Sequence, residues 1–130
     1  MNTKLPIQTK DAPDPIGPYN QAIKANGFVF VSGQIALDPT TKTLVASSLE
    51  AETHMVMKNV GAILAAEGLS YEHIVKSSIF IRNMEAFPTI NEVYGGYFQG
   101  HFPARETVEV SRLPMNVNVE ISVIAVLEQG

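Results

Sequence analysis

Gln21-Ala22-Ile23-Lys24-Ala25-Asn26-Gly27-Phe28-Val29-Phe30-Val31-Ser32-Gly33-Gln34 decides the fold. Asn26-Gly27 is the strongest short hairpin signal, because both central residues of that turn need positive φ. Its flanks, Gln21–Ala25 and Phe28–Gln34, read as two antiparallel strands. In the second, Phe28, Phe30 and Ser32 share one face and Val29, Val31 and Gly33 the other. Apolar residues on both faces mean that both faces need cover.

The chain continues in the same register of short elements. Upstream, Asp11–Tyr19 holds three prolines and a glycine and reads as a stiff, extended loop. Downstream, Asp38-Pro39-Thr40-Thr41 is a turn. Ser47-Ser48-Leu49-Glu50 fits a capping box with Ser47 as N-cap. Leu49, Thr53, Val56, Met57, Val60, Ile63 and Leu64 then recur at helical spacing up to Gly68. Ile74–Arg82 is β-branched and reads as a strand. Phe87, Ile90, Tyr94, Tyr97 and Phe98 mark a second amphipathic helix, with Pro88 in its first turn and Gly100 at its end. Gly95-Gly96 inside it costs about 1 kcal/mol per glycine relative to alanine, so a close backbone approach or a broken helix is expected there. Ala104–Val110 and Val117–Leu127 are the last strands. The order hairpin, helix, strand, helix, two strands predicts an α+β two-layer sandwich, one domain over residues 1–130, with both helices on one sheet face. The other face is left bare, and further copies of the same sheet would cover it.

Composition narrows the function. The 130 residues are 45% hydrophobic and 17% charged, which fits a globular chain with apolar surface to spare for sister subunits. Net charge is −4 and the nine basic residues are scattered, which argues against nucleic acid as the main partner. With no cysteine, disulfides, thiolate catalysis and cysteine-ligated metals are excluded. No apolar run approaches membrane-spanning length and Met1–Pro6 has no signal-peptide core, so a cytoplasmic location is the expectation.

The chemistry lies near the C-terminus. In Ala104–Val110, Arg105, Thr107 and Glu109 share one face and Glu106, Val108 and Val110 the other. In Val117–Leu127 the apolar residues alternate, and Glu120 points away from them with Asn118 and Ser122. A guanidinium can grip a planar anion through two parallel hydrogen bonds, and a carboxylate on a neighbouring strand can move a proton. The plainer readings are a structural ion pair for Arg105 and a solvent-facing position for Glu120. Ile124 and Val126 on the same face as Glu120 favour partial cover, which would raise its pKa. Gly33 lets another group approach the backbone, or simply marks a bulge beside Ser32. Tyr19 could close a pocket or pin the proline loop. Asn91 lies on the second helix, exposed on the plainer view. His54, His73 and His101 have no metal-ligand spacing, and no phosphate loop or nucleophile triad is present.

Ile16-Gly17-Pro18-Tyr19, Val31-Ser32-Gly33-Gln34-Ile35, Ile90-Asn91-Glu92-Val93-Tyr94, Phe102-Pro103-Ala104-Arg105, Val108-Glu109-Val110, Arg112-Leu113-Pro114 and Val119-Glu120-Ile121 occur in one order along essentially the whole chain. In this the chain resembles the RidA (YjgF) family. The resemblance implies a fold like trimeric bacterial chorismate mutase: a six-stranded, mostly antiparallel sheet with two helices on one face. Three copies would pack their sheets into a central barrel with a cleft at each interface. It further implies hydrolysis of reactive 2-imino or enamine acids, such as 2-iminobutanoate and 2-iminopropanoate, to 2-keto acids and ammonia. No metal or organic cofactor is implied. By the same resemblance Arg105 binds the substrate carboxylate and Glu120 positions a water and handles protons. Tyr19, Ser32, Gly33 and Asn91 line the cleft. Thr107 stands where the family often has cysteine, which removes a thiol and keeps a small side chain. The competing readings are a non-catalytic 2-keto acid sensor and a ribonuclease or translation-affecting protein.

Overall fold

The computed structural model describes residues 3–127. Six strands form one sheet: β1 (Leu5–Ile7), β2 (Ala22–Ala25), β3 (Phe28–Gln34), β4 (Ile74–Ile81), β5 (Ala104–Glu109) and β6 (Val119–Val126). Their order is β1-β2-β3-β6-β4-β5. Only β4 and β5 pair in parallel; the other neighbours are antiparallel. That parallel pair follows from the chain path, because a helical crossover between β4 and β5 is what parallel neighbours require. Two helices, α1 (Leu49–Ala65) and α2 (Phe87–Gly95), lie together on one face. The α+β two-layer sandwich is therefore observed.

The Asn26-Gly27 turn has φ of 54° and 84°, as a primed hairpin turn demands. Val29, Val31, Val119, Ile121, Val123 and Ala125 meet Val56, Met57, Val60, Ile63 and Leu64 in the core between sheet and α1. The opposite face carries Phe28 and Phe30, 38% and 44% exposed, with Ile124 and Val126 half-buried beside them.

Two helix boundaries and one whole strand depart from the sequence reading. The α1 cap is Ser48, whose side chain accepts the Ala51 N–H, one residue later than expected. Helix α2 stops at Gly95, and Gly100, with φ of 91°, turns the chain toward β5. Tandem glycines do not sustain a helical turn. Strand β1 is absent from the sequence reading, because it is three residues long at the sheet edge and shows no alternating pattern.

The proline loop is fastened from inside. Buried Gln21 donates its amide to the carbonyls of Thr9 (3.0 Å), Ala12 (3.2 Å) and Pro13 (2.8 Å). Its Oε1 accepts the Thr9 N–H at 2.8 Å. A proline-rich segment has few donors of its own, so a side-chain amide supplies the partners its carbonyls lack.

Candidate active site

Strand β5 pairs with β4 so that Ser77 lies opposite Arg105 and Ile79 opposite Thr107. Ser77 and Ile79 are buried in the helix-facing layer. Alternation therefore sends Arg105 and Thr107 toward the helices and Glu106 and Val108 toward the open face. Arg105 meets α2 there. Its Nη1 donates to Asn91 Oδ1 at 2.7 Å. Its guanidinium carbon lies 5.4 Å from the Phe87 ring centre and 5.3 Å from that of Tyr94, within cation–π range.

Among the described residues no carboxylate forms an ion pair with Arg105. Glu106, its chain neighbour, is engaged on the far side of the sheet. There the Ser78 hydroxyl donates to it and Lys76 Nζ lies 3.2 Å away, and both contacts hold its carboxyl below the usual range. The guanidinium is thus oriented but not neutralised. Beside it opens a cavity of about 300 Å³ lined by Asn91, Tyr94, Gly95, Phe102, Pro103 and Arg105. Thr107 lies deeper, under Phe87 and Asn91, in a gap too narrow for a water molecule. Its Oγ1 is buried without a hydrogen-bond partner.

Glu120 belongs to the other face. It pairs with Phe80 on β4, while Val119 and Ile121 on either side enter the core. Its carboxylate lies over Gly33, where an added Cβ would come within 2.6 Å of Oε2. This partial burial raises its pKa. The β3–β6 register shifts between Val31 and Gln34, so Gly33 sits in an irregular stretch that lets the acid settle on the backbone. Ser32 Oγ donates to the Asn20 carbonyl at 2.6 Å, which ties β3 to the end of the proline loop. Tyr19, half exposed on that loop, accepts the Ile16 N–H at 3.4 Å.

The seven expected site residues fall into two groups. Asn91, Arg105 and Thr107 lie between sheet and α2. Ser32, Gly33 and Glu120 lie on the β3–β6 side, with Tyr19 on the loop that Ser32 holds. The expectation that Arg105 and Glu120 occupy neighbouring strands is corrected: β4 lies between β5 and β6. The two side chains also leave opposite faces of the sheet. One copy of the chain does not bring cation and acid together.

Phe87 and Tyr94 touch the guanidinium but were legible in sequence only as apolar helix positions. Their spacing around Asn91, four residues before and three after, is the signal that places all three on one helix face. Among the described residues no cluster of three or more histidine, aspartate or glutamate side chains is placed to hold a metal ion. No helix there is long and apolar enough to cross a membrane.

Residues 9–127 match the family model described as Endoribonuclease L-PSP. The RutC family protein slr0709 of Synechocystis is 50% identical over 98% of both chains. The 2-iminobutanoate/2-iminopropanoate deaminase of Dermatophagoides farinae is 43% identical over 98% of this chain and 100% of its own length. Among solved structures, E. coli TdcF with bound serine superposes with a TM-score of 0.90 at 40% identity, covering 95% of this chain and 99% of that one. Matched along nearly its whole length in both sequence and fold, the chain belongs to the Endoribonuclease L-PSP family, the group of the RidA and YjgF proteins.

Proposed function

We propose that this protein hydrolyses 2-imino acids and their enamine tautomers, such as 2-iminobutanoate and 2-iminopropanoate, to 2-keto acids and ammonia. The observation that carries the reading is the Arg105 guanidinium, oriented by α2, unpaired with any described carboxylate, and set beside a 300 Å³ cavity. Such a group is matched to a small α-carboxylate. The deaminase from Dermatophagoides farinae and the serine-bound TdcF support a ligand of that size and charge.

The acid must come from elsewhere, and the open face supports its source. Phe28 and Phe30 are exposed there, on the same face as Glu120 and opposite Val126 and Ile124 of the strand that carries it. A second copy docked on that face would cover the phenyl rings and carry Glu120 to the Arg105 of its neighbour. We read the working unit as a homotrimer with one cleft per interface. In each cleft Arg105, Asn91 and Thr107 come from one copy, and Glu120, Gly33, Ser32 and Tyr19 from the next.

The chemistry asked of this cleft is modest. The protonated imine carbon is already electrophilic. Arg105 holds the carboxylate, and Glu120 takes a proton from the attacking water as the new C–O bond forms. The same carboxyl, now protonated, returns that proton to the carbinolamine nitrogen, then as carboxylate takes the hydroxyl proton while the C–N bond breaks and the keto C=O forms, and ammonia leaves. A carboxyl whose pKa is raised by burial suits these transfers. No residue here requires a metal or organic cofactor for this sequence of steps.

The test couples a threonine dehydratase to this protein. Added protein should speed 2-ketobutanoate formation from the released imine, and Arg105→Ala should abolish the gain while the assembly mass is kept. Binding of 2-keto acids without acceleration would instead favour a sensor. RNA cleavage that survives Arg105→Ala would favour the nuclease role in the family's description.

A further inference from the structure

We infer that Tyr94 and Phe87 are positioning residues that hold the Arg105 guanidinium in its carboxylate-binding pose, with Ser77 anchoring the Tyr94 ring. The inference rests on the reading of Arg105 as the carboxylate anchor and goes beyond it to what sets the anchor's direction.

An arginine side chain is long and rotamer-rich, and an unpaired one on a sheet edge samples many directions. Here it does not emerge into open solvent. Phe87, Asn91 and Tyr94 form one stripe along α2, and all three contact its guanidinium. Asn91 takes one Nη1 hydrogen, and the rings meet the cation one turn before and one turn after Asn91. The rings attract the cation without consuming its in-plane donors, so the remaining N–H groups stay available for an anion. A carboxylate in place of either ring would neutralise the guanidinium and compete with substrate.

Tyrosine is more than a phenyl ring at this position. Its hydroxyl donates to the Ser77 Oγ at 2.8 Å, and both residues are buried. Ser77 is the β4 residue directly opposite Arg105 in the β4–β5 register. The bond therefore fixes the ring to the strand next to the one that carries the arginine. Burial raises the pKa of the phenol, so it stays a donor at neutral pH. Helix, strand and cation are locked as a unit, and no other described group is needed to explain why a buried tyrosine faces a serine here.

The test measures pyruvate affinity by calorimetry and imine hydrolysis by the coupled assay, on the assembled protein. Tyr94→Leu removes ring and hydroxyl. It should raise both the pyruvate Kd and KM about tenfold and change kcat by less than about twofold. Phe87→Leu should raise them about threefold to tenfold. Tyr94→Phe, which keeps the ring, should recover most of the affinity lost in Tyr94→Leu. A structural role alone would lower the melting temperature without this split between KM and kcat. Wild-type pyruvate affinity in a folded Tyr94→Leu protein would overturn the inference, as would a loss confined to kcat. Should Tyr94→Leu not fold, Phe87→Leu decides by the same measurements. Arg105→Ala separates the two levels of argument. If it too binds pyruvate normally, the anchor reading itself fails. If it loses pyruvate while both ring variants keep it, only the positioning role fails.

Discussion

The placement of Arg105 and Glu120 on opposite faces of one sheet makes a quantitative prediction about mixed assemblies. Arg105→Ala and Glu120→Gln proteins should each be inactive. Refolded or co-expressed together, they should regain activity if each cleft, as proposed, takes its cation from one copy and its acid from the next. In an equal random mixture a given site has an even chance of an intact arginine from one side. It has an independent even chance of an intact glutamate from the other. About a quarter of the sites are then whole, so the mixture should reach about a quarter of wild-type turnover. The fraction is the same for any ring in which neighbouring copies share sites, so it reports the shared site rather than the copy number. The assay is the coupled dehydratase reaction at fixed total protein, with two affinity tags confirming mixed assemblies. Both substitutions sit on partly exposed strand positions, and mass measurement on each parent checks that it still assembles. A doubly tagged mixture that stays as inactive as its parents would refute the two-copy cleft and with it the proposed mechanism.

Three further outcomes test the scaffold. Phe30→Lys places a charge in the apolar stripe of the open face and should shift the assembly to monomers, read by light scattering; an unchanged mass would locate the interface elsewhere. Gln21→Leu leaves the Thr9, Ala12 and Pro13 carbonyls without their partner; about 2–3 kcal/mol of stability should be lost in urea titration, with faster proteolysis within the proline loop. Tyr71 donates to the Met57 carbonyl at 2.8 Å, and burial pushes its pKa from 10.0 to about 12. The folded state therefore binds more protons than the unfolded state between those values, so this contribution is intact below pH 10.0 and lost as pH rises toward about 12. Tyr71→Phe should flatten that alkaline limb in thermal melts, and a wild-type limb in the variant would contradict the assignment.

Much of the architecture was legible because the signals were local. Asn26-Gly27 dictates a turn by its own backbone preferences, and the spacing from Leu49 to Leu64 dictates a buried helix face. What stayed hidden depended on pairings distant in sequence. Nothing in Ala104–Val110 or Val117–Leu127 says that β4 inserts between them. The expectation of neighbouring strands failed for that reason, although each strand was placed within two residues at either end. Face assignment survived this error in β5, where alternation is unbroken: Glu106 does lie away from Arg105, paired with Lys76. It failed in β3, where the irregular stretch after Val31 turns Gly33 to the open face under Glu120 instead of the side it was read to share with Val29 and Val31. The aromatic contacts to Arg105 were invisible for a different cause. Phe87 and Tyr94 read as core residues, and only the register of α2 against β5 turns their ring faces toward the cation.

The open sheet face joins assembly to chemistry. An entirely apolar face would stack against other copies in many registers. This one mixes Phe28, Phe30 and Ile124 with Glu120 and with the Lys76–Glu106 pair. A carboxylate is costly to bury unless it is paired or protonated, so docking arrangements that seal Glu120 against carbon are disfavoured. The proposed arrangement covers the rings and leaves Glu120 at the rim of a cleft facing a cation, and so meets this constraint. Gly33 contributes by absence: any Cβ there would displace the carboxylate from the backbone it rests on. The residue proposed to handle protons is then also one that restricts how copies meet. On this reading the cleft is not an addition to the assembled fold but a consequence of the charge that the sheet face retains.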